Sequence, residues 1–198
     1  MRRLLLVAIC TSTFLFGFAP PSETQTKLEK SSSGQNQSKP KIVALNTNKL
    51  EAFPYDAGKV KFIATSEDTK GAYAVVELTE MPGYKTAWHQ HNNCEEAFYV
   101  VEGVLTIKLA DKLYEMPAGS YILIPRGTPH GQGNFTNKPV RLLTTFSPGG
   151  FDLFFRDRVE LYKTIKPGDP TFQKRFDELR EKHRKWVEIL GAWDTQKY

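Results

Sequence analysis

The run Gly83-Tyr-Lys-Thr-Ala-Trp-His89-Gln-His91-Asn-Asn-Cys-Glu-Glu96-Ala-Phe-Tyr-Val-Val-Glu-Gly103 decides the fold, together with Gly119-Ser-Tyr-Ile-Leu-Ile-Pro125-Arg-Gly127-Thr-Pro-His130-Gly-Gln-Gly-Asn134, which follows after fifteen residues. Ten of these positions matter: Gly83, His89, His91, Glu96, Gly103, Gly119, Pro125, Gly127, His130 and Asn134. His89 and His91 are two apart, so on a strand both rings share one face while Trp88 and Gln90 take the other. Met81-Pro82-Gly83 is a turn entering that strand. Gly103 turns the segment Glu96–Glu102 into the apolar run Val104–Leu109. This predicts the ligands of the first run on adjacent strands. In the second run Tyr121–Ile124 reads as a buried strand, and Pro125-Arg-Gly127 bends the chain so that His130 arrives from a loop edge.

Three imidazoles and one carboxylate suit a borderline first-row divalent ion, Fe, Mn, Ni, Cu or Zn, and leave coordination positions open on an octahedral ion. Open positions point to chemistry rather than to a structural staple. His89, His91, Glu96 and His130 are therefore the candidate metal ligands. A lone strand histidine is usually a packed, hydrogen-bonded residue. Here three of the four histidines of the chain stand at ligand spacing. Glu95 competes with Glu96, but strand alternation turns one away if the other points in. Gly119, Gly127 and Asn134 read as turn and backbone residues. His183 reads as a packed histidine on an apolar helix face, and Cys94 as a small packed hydrophobe.

At roughly one in twenty per specified residue, a chance match at all ten positions is on the order of 10⁻¹³. The two runs resemble the paired motifs of the cupin superfamily, with every defining position present. The weaker likeness of the chain around them, from about residue 60 to residue 191, is to small bacterial cupins related to quercetin dioxygenase. The resemblance implies an all-β double-stranded β-helix, or jelly-roll barrel, and a metal held by His89, His91, Glu96 and His130. It implies little about substrate, because cupins include dioxygenases, isomerases, decarboxylases, hydrolases and plain binding domains. The expected function is a metal-dependent, dioxygenase-like oxidoreductase acting on a small organic substrate with adjacent oxygen donors. Glu96 would be its catalytic residue, a base for the substrate hydroxyl if burial raises its pKa toward working pH. The alternatives are a non-catalytic small-ligand binder and a metal-dependent isomerase or hydrolase. Phe98 and Val100, on the face of Glu96, are expected to line an apolar pocket.

Outward from the motifs, short runs read as strands at Lys59–Ala64, Ala72–Glu77, Thr86–His91, Ala97–Val101, Val104–Leu109, Tyr114–Met116, Tyr121–Ile124 and Val140–Phe146. The cupin barrel is assigned to residues 46–150, and no internal repeat suggests a second one. Residues 151–198 read as a C-terminal helical extension. It starts with a short aromatic helix or turn at Phe151-Asp-Leu-Phe-Phe155 that caps the barrel. A second helix is N-capped by Asp169 with Pro170 in first position; Phe172, Phe176, Leu179 and His183 form its apolar stripe. Glu178–Lys182 and Glu181–Lys185 are expected as solvated i,i+4 pairs. Trp186–Leu190 either extends that helix or forms a last strand.

The beginning of the chain is a different matter. Arg2 and Arg3 precede a sixteen-residue apolar stretch, Leu4–Ala19, too short to span a bilayer comfortably, so residues 1–19 read as a signal peptide. An uncleaved anchor, or lipid attachment at Cys10, is the lesser reading. Residues 20–45 read as a flexible Ser/Gln/Lys-rich linker. A secreted or periplasmic location follows as an expectation. Loss of two arginines and no acid takes the net charge from +5 to +3, with no basic-aromatic interleaving, so nucleic acid is not an expected partner. Expected partners are a small-molecule substrate or ligand and, as an admissible state, a second copy in a homodimer; no stable membrane insertion is expected after signal removal. Cys94 is then the sole cysteine of the mature chain and no internal disulfide forms. Asn36-Gln-Ser38 and Asn134-Phe-Thr136 fit the glycosylation acceptor pattern.

Overall fold

β-branched and aromatic runs between Gly, Pro and Asp turns fold into eleven strands in the computed structural model, which describes residues 42–193. They are β1 (Phe53–Tyr55), β2 (Gly58–Ala64), β3 (Ala74–Glu80), β4 (Trp88–Gln90), β5 (Glu95–Glu102), β6 (Val104–Leu109), β7 (Lys112–Pro117), β8 (Tyr121–Ile124), β9 (His130–Gly133), β10 (Val140–Ser147) and β11 (Glu188–Gly191). Two helices, α1 (Asp152–Thr164) and α2 (Phe172–Lys182), lie between β10 and β11. One sheet runs β1-β2-β3-β10-β5-β8 and the other β11-β4-β9-β6-β7, with antiparallel pairing throughout. The order is that of a double-stranded β-helix, its two sheets facing without hydrogen-bonded closure among the described residues. The proposed signal peptide, most of the linker and Asn36 lie outside the described residues.

The expected strands are all present, β1 and β9 join them, and of the two readings of Trp186–Leu190 the strand is the one found, as β11. β9 escaped the sequence reading because His130-Gly-Gln-Gly133 has almost no strand propensity. Its glycines serve close approach instead: a Cβ on Gly131 would stand 2.4 Å from Nε1 of Trp193. His130 is therefore a strand residue paired with His89, not one delivered from a loop edge. A second correction concerns the first motif. His89 lies on β4 and Glu96 on β5, and these strands belong to opposite sheets. The turn at Asn92-Asn93 carries the chain from one to the other, so the ligands face each other across the interior rather than lying side by side.

The inner faces follow the period of two. Val76, Leu78, Phe98, Val100, Leu142 and Phe146 from the larger sheet meet Leu105 and Ile107 from the smaller one, and all are buried. Phe98 and Val100 share the face of Glu96 as expected but are fully enclosed in this core. Each step of two residues moves about 7 Å along the strand, away from the open end where Glu96 sits, so neither lines a pocket.

The helical segment is longer and better anchored than a cap. Oδ2 of Asp152 accepts hydrogen bonds from the Ser66 backbone N–H (3.0 Å) and hydroxyl (3.1 Å), fixing the start of the thirteen-residue α1. α2 begins at Phe172 after Thr171, not at Pro170. Asp169 accepts from the Thr171 N–H and hydroxyl at 2.8 and 2.6 Å, closing a turn ahead of the helix. The expected i,i+4 pairs are replaced: Glu178 meets Arg175, Glu181 meets Arg184, and Lys182 reaches Asp157 of α1 at 2.6 Å. His183 joins Lys182 on Asp157 at 2.8 Å, which draws that end of α2 toward α1. The chain then enters β11 and pairs with β4.

Candidate metal centre

The short strand β4 delivers His89, the residue after it is His91, β9 begins with His130, and β5 carries Glu96 from the opposite sheet. One ligand atom from each lies within 4.8 Å of the others, and all four residues are buried. Each imidazole is held by its Nδ1: Ala87 O receives that of His89 at 2.9 Å, Trp186 O that of His91 at 2.9 Å, and Thr128 O that of His130 at 2.8 Å. A backbone carbonyl can only accept, so each Nδ1 carries a proton; Nε2 of His89 keeps its lone pair, and Nε2 of His130, which donates to the Glu96 carboxylate, offers one once that proton leaves. Oε2 of Glu96 stands 2.9 Å from Nε2 of His130 and 3.2 Å from Nε2 of His91. The second contact is close but poorly directed, and Nε2 of His91 has no hydrogen-bond partner. A buried imidazole nitrogen without a partner is costly unless something else meets it. Three oriented nitrogens and one carboxylate fit a first-row divalent ion.

The electrostatics of the group are strongly coupled. Burial, reinforced by the neighbouring His130 and His91, pushes His89 down to about 3, so it is neutral at any working pH. Burial also lowers His130, yet its hydrogen bond to Glu96 and the charge of that carboxylate outweigh it and leave His130 above its ordinary value. For Glu96 burial alone would raise the pKa, but His91 and His130 overcome it and hold the carboxyl well below the usual range. The sequence expectation that burial would raise Glu96 is thus reversed. It is a standing negative charge, the form a ligand or proton acceptor requires.

A cavity of about 180 Å³ opens beside the cluster, with His89, His91 and Glu96 in its wall. Its other side is built by the helical segment: Phe151, Phe154, Phe155 and Arg158 at α1, Phe176 and Arg180 on α2, and Val187 beyond. The ring of Phe151 lies 4.6 Å from that of His91, so apolar surface reaches the ligands directly. Gln132, on the inner face two residues after His130, also lines the cavity. Its amide donates to Oε1 of Glu80 at 2.9 Å. Glu80 is fully enclosed and its Oε2 has no partner; burial, helped by the charge of Glu96 and opposed by the Gln132 hydrogen bond, pushes it up to about 8.

Several residues sort as expected. Glu95 is half-buried and faces Arg126 at 3.6 Å, the opposite side from Glu96. Cys94 is buried, and burial, with the charge of Glu96, pushes its thiol up to about 12, so it is inert as a nucleophile. His183 is packed against Phe154 and bound to Asp157. Asn134 is fully buried, its amide donating to Glu80 O and Lys138 O, so it stabilises a turn and is closed to glycosylation in the folded chain. Sequence reading missed Gln132, Glu80, Arg158 and Arg180. Alternation from His130 places Gln132 inward, and alternation along Ala74, Val76 and Leu78 does the same for Glu80. No local signal marks the arginines.

Three imidazoles and a carboxylate gathered between the sheets of a jelly roll define the class: a double-stranded β-helix with a buried His/Glu cluster. Residues 76–146 match the family described as Cupin domain. The chain is 36% identical over 66 residues to an uncharacterized protein of Methanocaldococcus jannaschii, a match covering 33% of this chain and 53% of that one. It is 26% identical over 120 residues to quercetin 2,3-dioxygenase of Bacillus subtilis, covering 60% of this chain and 35% of the relative. Both matches thus span about half or less of the relatives' length. Among solved structures it resembles a predicted oxalate decarboxylase of Thermotoga maritima, with a TM-score of 0.50 at 14% identity, over 53% of this chain and 98% of that one. That likeness concerns the fold. The family match ends at residue 146, before the α1 and α2 residues that wall the cavity.

Proposed function

We propose that this protein is a metal-dependent, dioxygenase-like oxidoreductase acting on a small organic substrate in the cavity beside His89, His91, Glu96 and His130. The observation that carries the reading is the convergence of three imidazoles, each fixed through Nδ1 to a backbone carbonyl, with one ionised carboxylate on an aromatic-walled cavity. Such a site supplies Lewis-acid activation of a bound oxygen donor and, with a redox-active ion, of dioxygen. Similarity to a quercetin 2,3-dioxygenase favours oxygen chemistry over hydrolysis. The protein's own part is threefold. The Nδ1 hydrogen bonds hold the ligands in place without reorganisation. The phenylalanine wall excludes water, which strengthens every charge interaction inside. Glu96, ionised at working pH, serves as a ligand; once substrate displaces it from the histidines that hold its carboxyl down, it accepts the substrate hydroxyl proton, and the amide of Gln132 offers a polar contact along the same wall.

The N-terminal pattern Arg2-Arg3 followed by Leu4–Ala19 supports a secreted or periplasmic site of action; an intact Met1 on protein recovered from cytoplasm would refute it. The function is tested by metal analysis of protein purified from its native compartment, followed by oxygen-electrode assays on a flavonol and diketone panel. Oxygen uptake with product formation that stops under argon is the expected result. Conversion that continues unchanged without oxygen would replace the oxygenase with an isomerase or hydrolase, and ligand-induced melting shifts without turnover would make the protein a binder.

A further inference from the structure

The cavity wall opposite the metal ligands holds two guanidinium groups on an otherwise aromatic surface. Arg158, on α1, has a side chain only 9% exposed, flanked by the rings of Tyr55 at 5.2 Å, Phe176 at 5.0 Å and Phe154 at 5.7 Å. One terminal nitrogen pairs with Oδ2 of Asp56. The other oxygen of Asp56 is engaged by the hydroxyl of Tyr162, and Nε of Arg158 is buried with no hydrogen-bond partner. Arg180, on α2, lies 4.4 Å from the centroid of Phe176 and has only a long contact of 3.4 Å with Asp177. Lys85, the third cation of the wall, is turned to Trp193, donating to its carbonyl at 2.7 Å. With Glu96 committed to the histidines, two guanidiniums face a single carboxylate in this cavity.

A purely structural role for Arg158, strapping α1 to the β1–β2 turn, uses one nitrogen. Burying the rest of a guanidinium among aromatic rings with a donor unmet is unfavourable. A planar fork with a spare donor, stacked on aromatic rings beside a second guanidinium, is the arrangement that receives a carboxylate.

Resting on the reading of the cluster as a metal centre, we infer that the substrate is a carboxylate on a compact apolar or aromatic body. Its anionic group binds Arg158 and Arg180, and its oxygen donor lies toward His89, His91 and Glu96. Both arginines come from the helical segment beyond the family match, so this specificity belongs to the chain and not to the fold. A neutral substrate would leave two guanidiniums facing a single carboxylate and would be disfavoured for that reason.

The test uses benzoate and its neutral isostere benzamide, titrated calorimetrically into the full chain after metal removal by chelation. Benzoate should bind about tenfold or more tighter than benzamide. Arg180→Gln should remove most of that preference while leaving benzamide unchanged. Arg158→Lys, which keeps the charge and loses the fork, should weaken benzoate in the same direction. Equal binding of the two probes, absence of benzoate binding, or wild-type behaviour of Arg180→Gln overturns the inference. Benzoate that binds only metal-loaded protein, and is lost in His91→Ala, is a metal ligand; that outcome overturns the arginine assignment and leaves the metal centre standing. Arginine-dependent benzoate binding in a protein that takes up no metal does the reverse.

Discussion

Glu80→Gln isolates the energetic consequence of placing an acid on the inner face of β3. In the folded chain the carboxyl is pushed from its ordinary 4.5 up to about 8, chiefly by burial. The folded state therefore keeps a proton that the unfolded chain releases over this interval. Stability is fully present below pH 4.5 and falls as pH rises, levelling off above about 8. Each pH unit costs about 1.4 kcal/mol, which amounts to roughly 5 kcal/mol across the whole interval, an upper figure because water penetration and relaxation reduce it. Glutamine copies the neutral acid: its carbonyl accepts from Gln132 as Oε1 does at 2.9 Å, and its amide replaces the protonated Oε2. Urea unfolding of the chelated protein at pH 5, 6, 7 and 8 measures the difference, with metal removed so that ligand protons do not enter. The advantage of Glu80→Gln over wild type should grow steadily with pH and reach several kcal/mol at pH 8. A difference that stays flat, or that shrinks with pH, would refute the assignment of Glu80 as a buried neutral acid.

His91→Ala should lower bound metal by about tenfold or more while far-UV circular dichroism is retained, since one oriented nitrogen is lost from four ligands; equal metal per chain by plasma mass spectrometry would sink the site. In an active preparation, Glu96→Gln should reduce turnover by about 10²-fold or more with metal partly retained, and Glu95→Gln should leave it near wild type; the opposite ranking would mean that the first motif is read one residue out of register. Gly150→Ala acts at a distance: at φ +143 the new Cβ would stand 2.1 Å from the Trp186 ring, and the Trp186 carbonyl holds His91. We expect weaker metal binding and a lower melting temperature, and unchanged metal affinity would show that Trp186 does not orient the ligand.

The ligands were legible in the sequence because side-chain chemistry and strand period act together over a few residues: His89 and His91 must share a face, and Glu95 and Glu96 must not. The sheets were not, since period two reports which face a residue takes but not which sheet its strand joins, and β4 and β5 part at the Asn92-Asn93 turn. β9 was hidden because its glycines serve contact with Trp193 rather than strand propensity. Glu80 was overlooked because the strand was expected to stop at Glu77; extending it by three residues turns the acid inward. The cavity wall was the least legible part. Phe154, Arg158, Phe176 and Arg180 reach it only through the packing of α1 and α2 against the sheets, a long-range arrangement that local spacing does not encode.

The Nδ1 contact of His91 spans 95 residues, since its acceptor is the Trp186 carbonyl. During synthesis a chain that has already made both motifs, through Asn134, still lacks that acceptor, and the His91 imidazole is without the contact that orients it. In the proposed metal centre, selectivity among ions would thus be deferred until α1, α2 and the segment after them have emerged and docked. An ion trapped earlier would meet a looser and less discriminating set of donors.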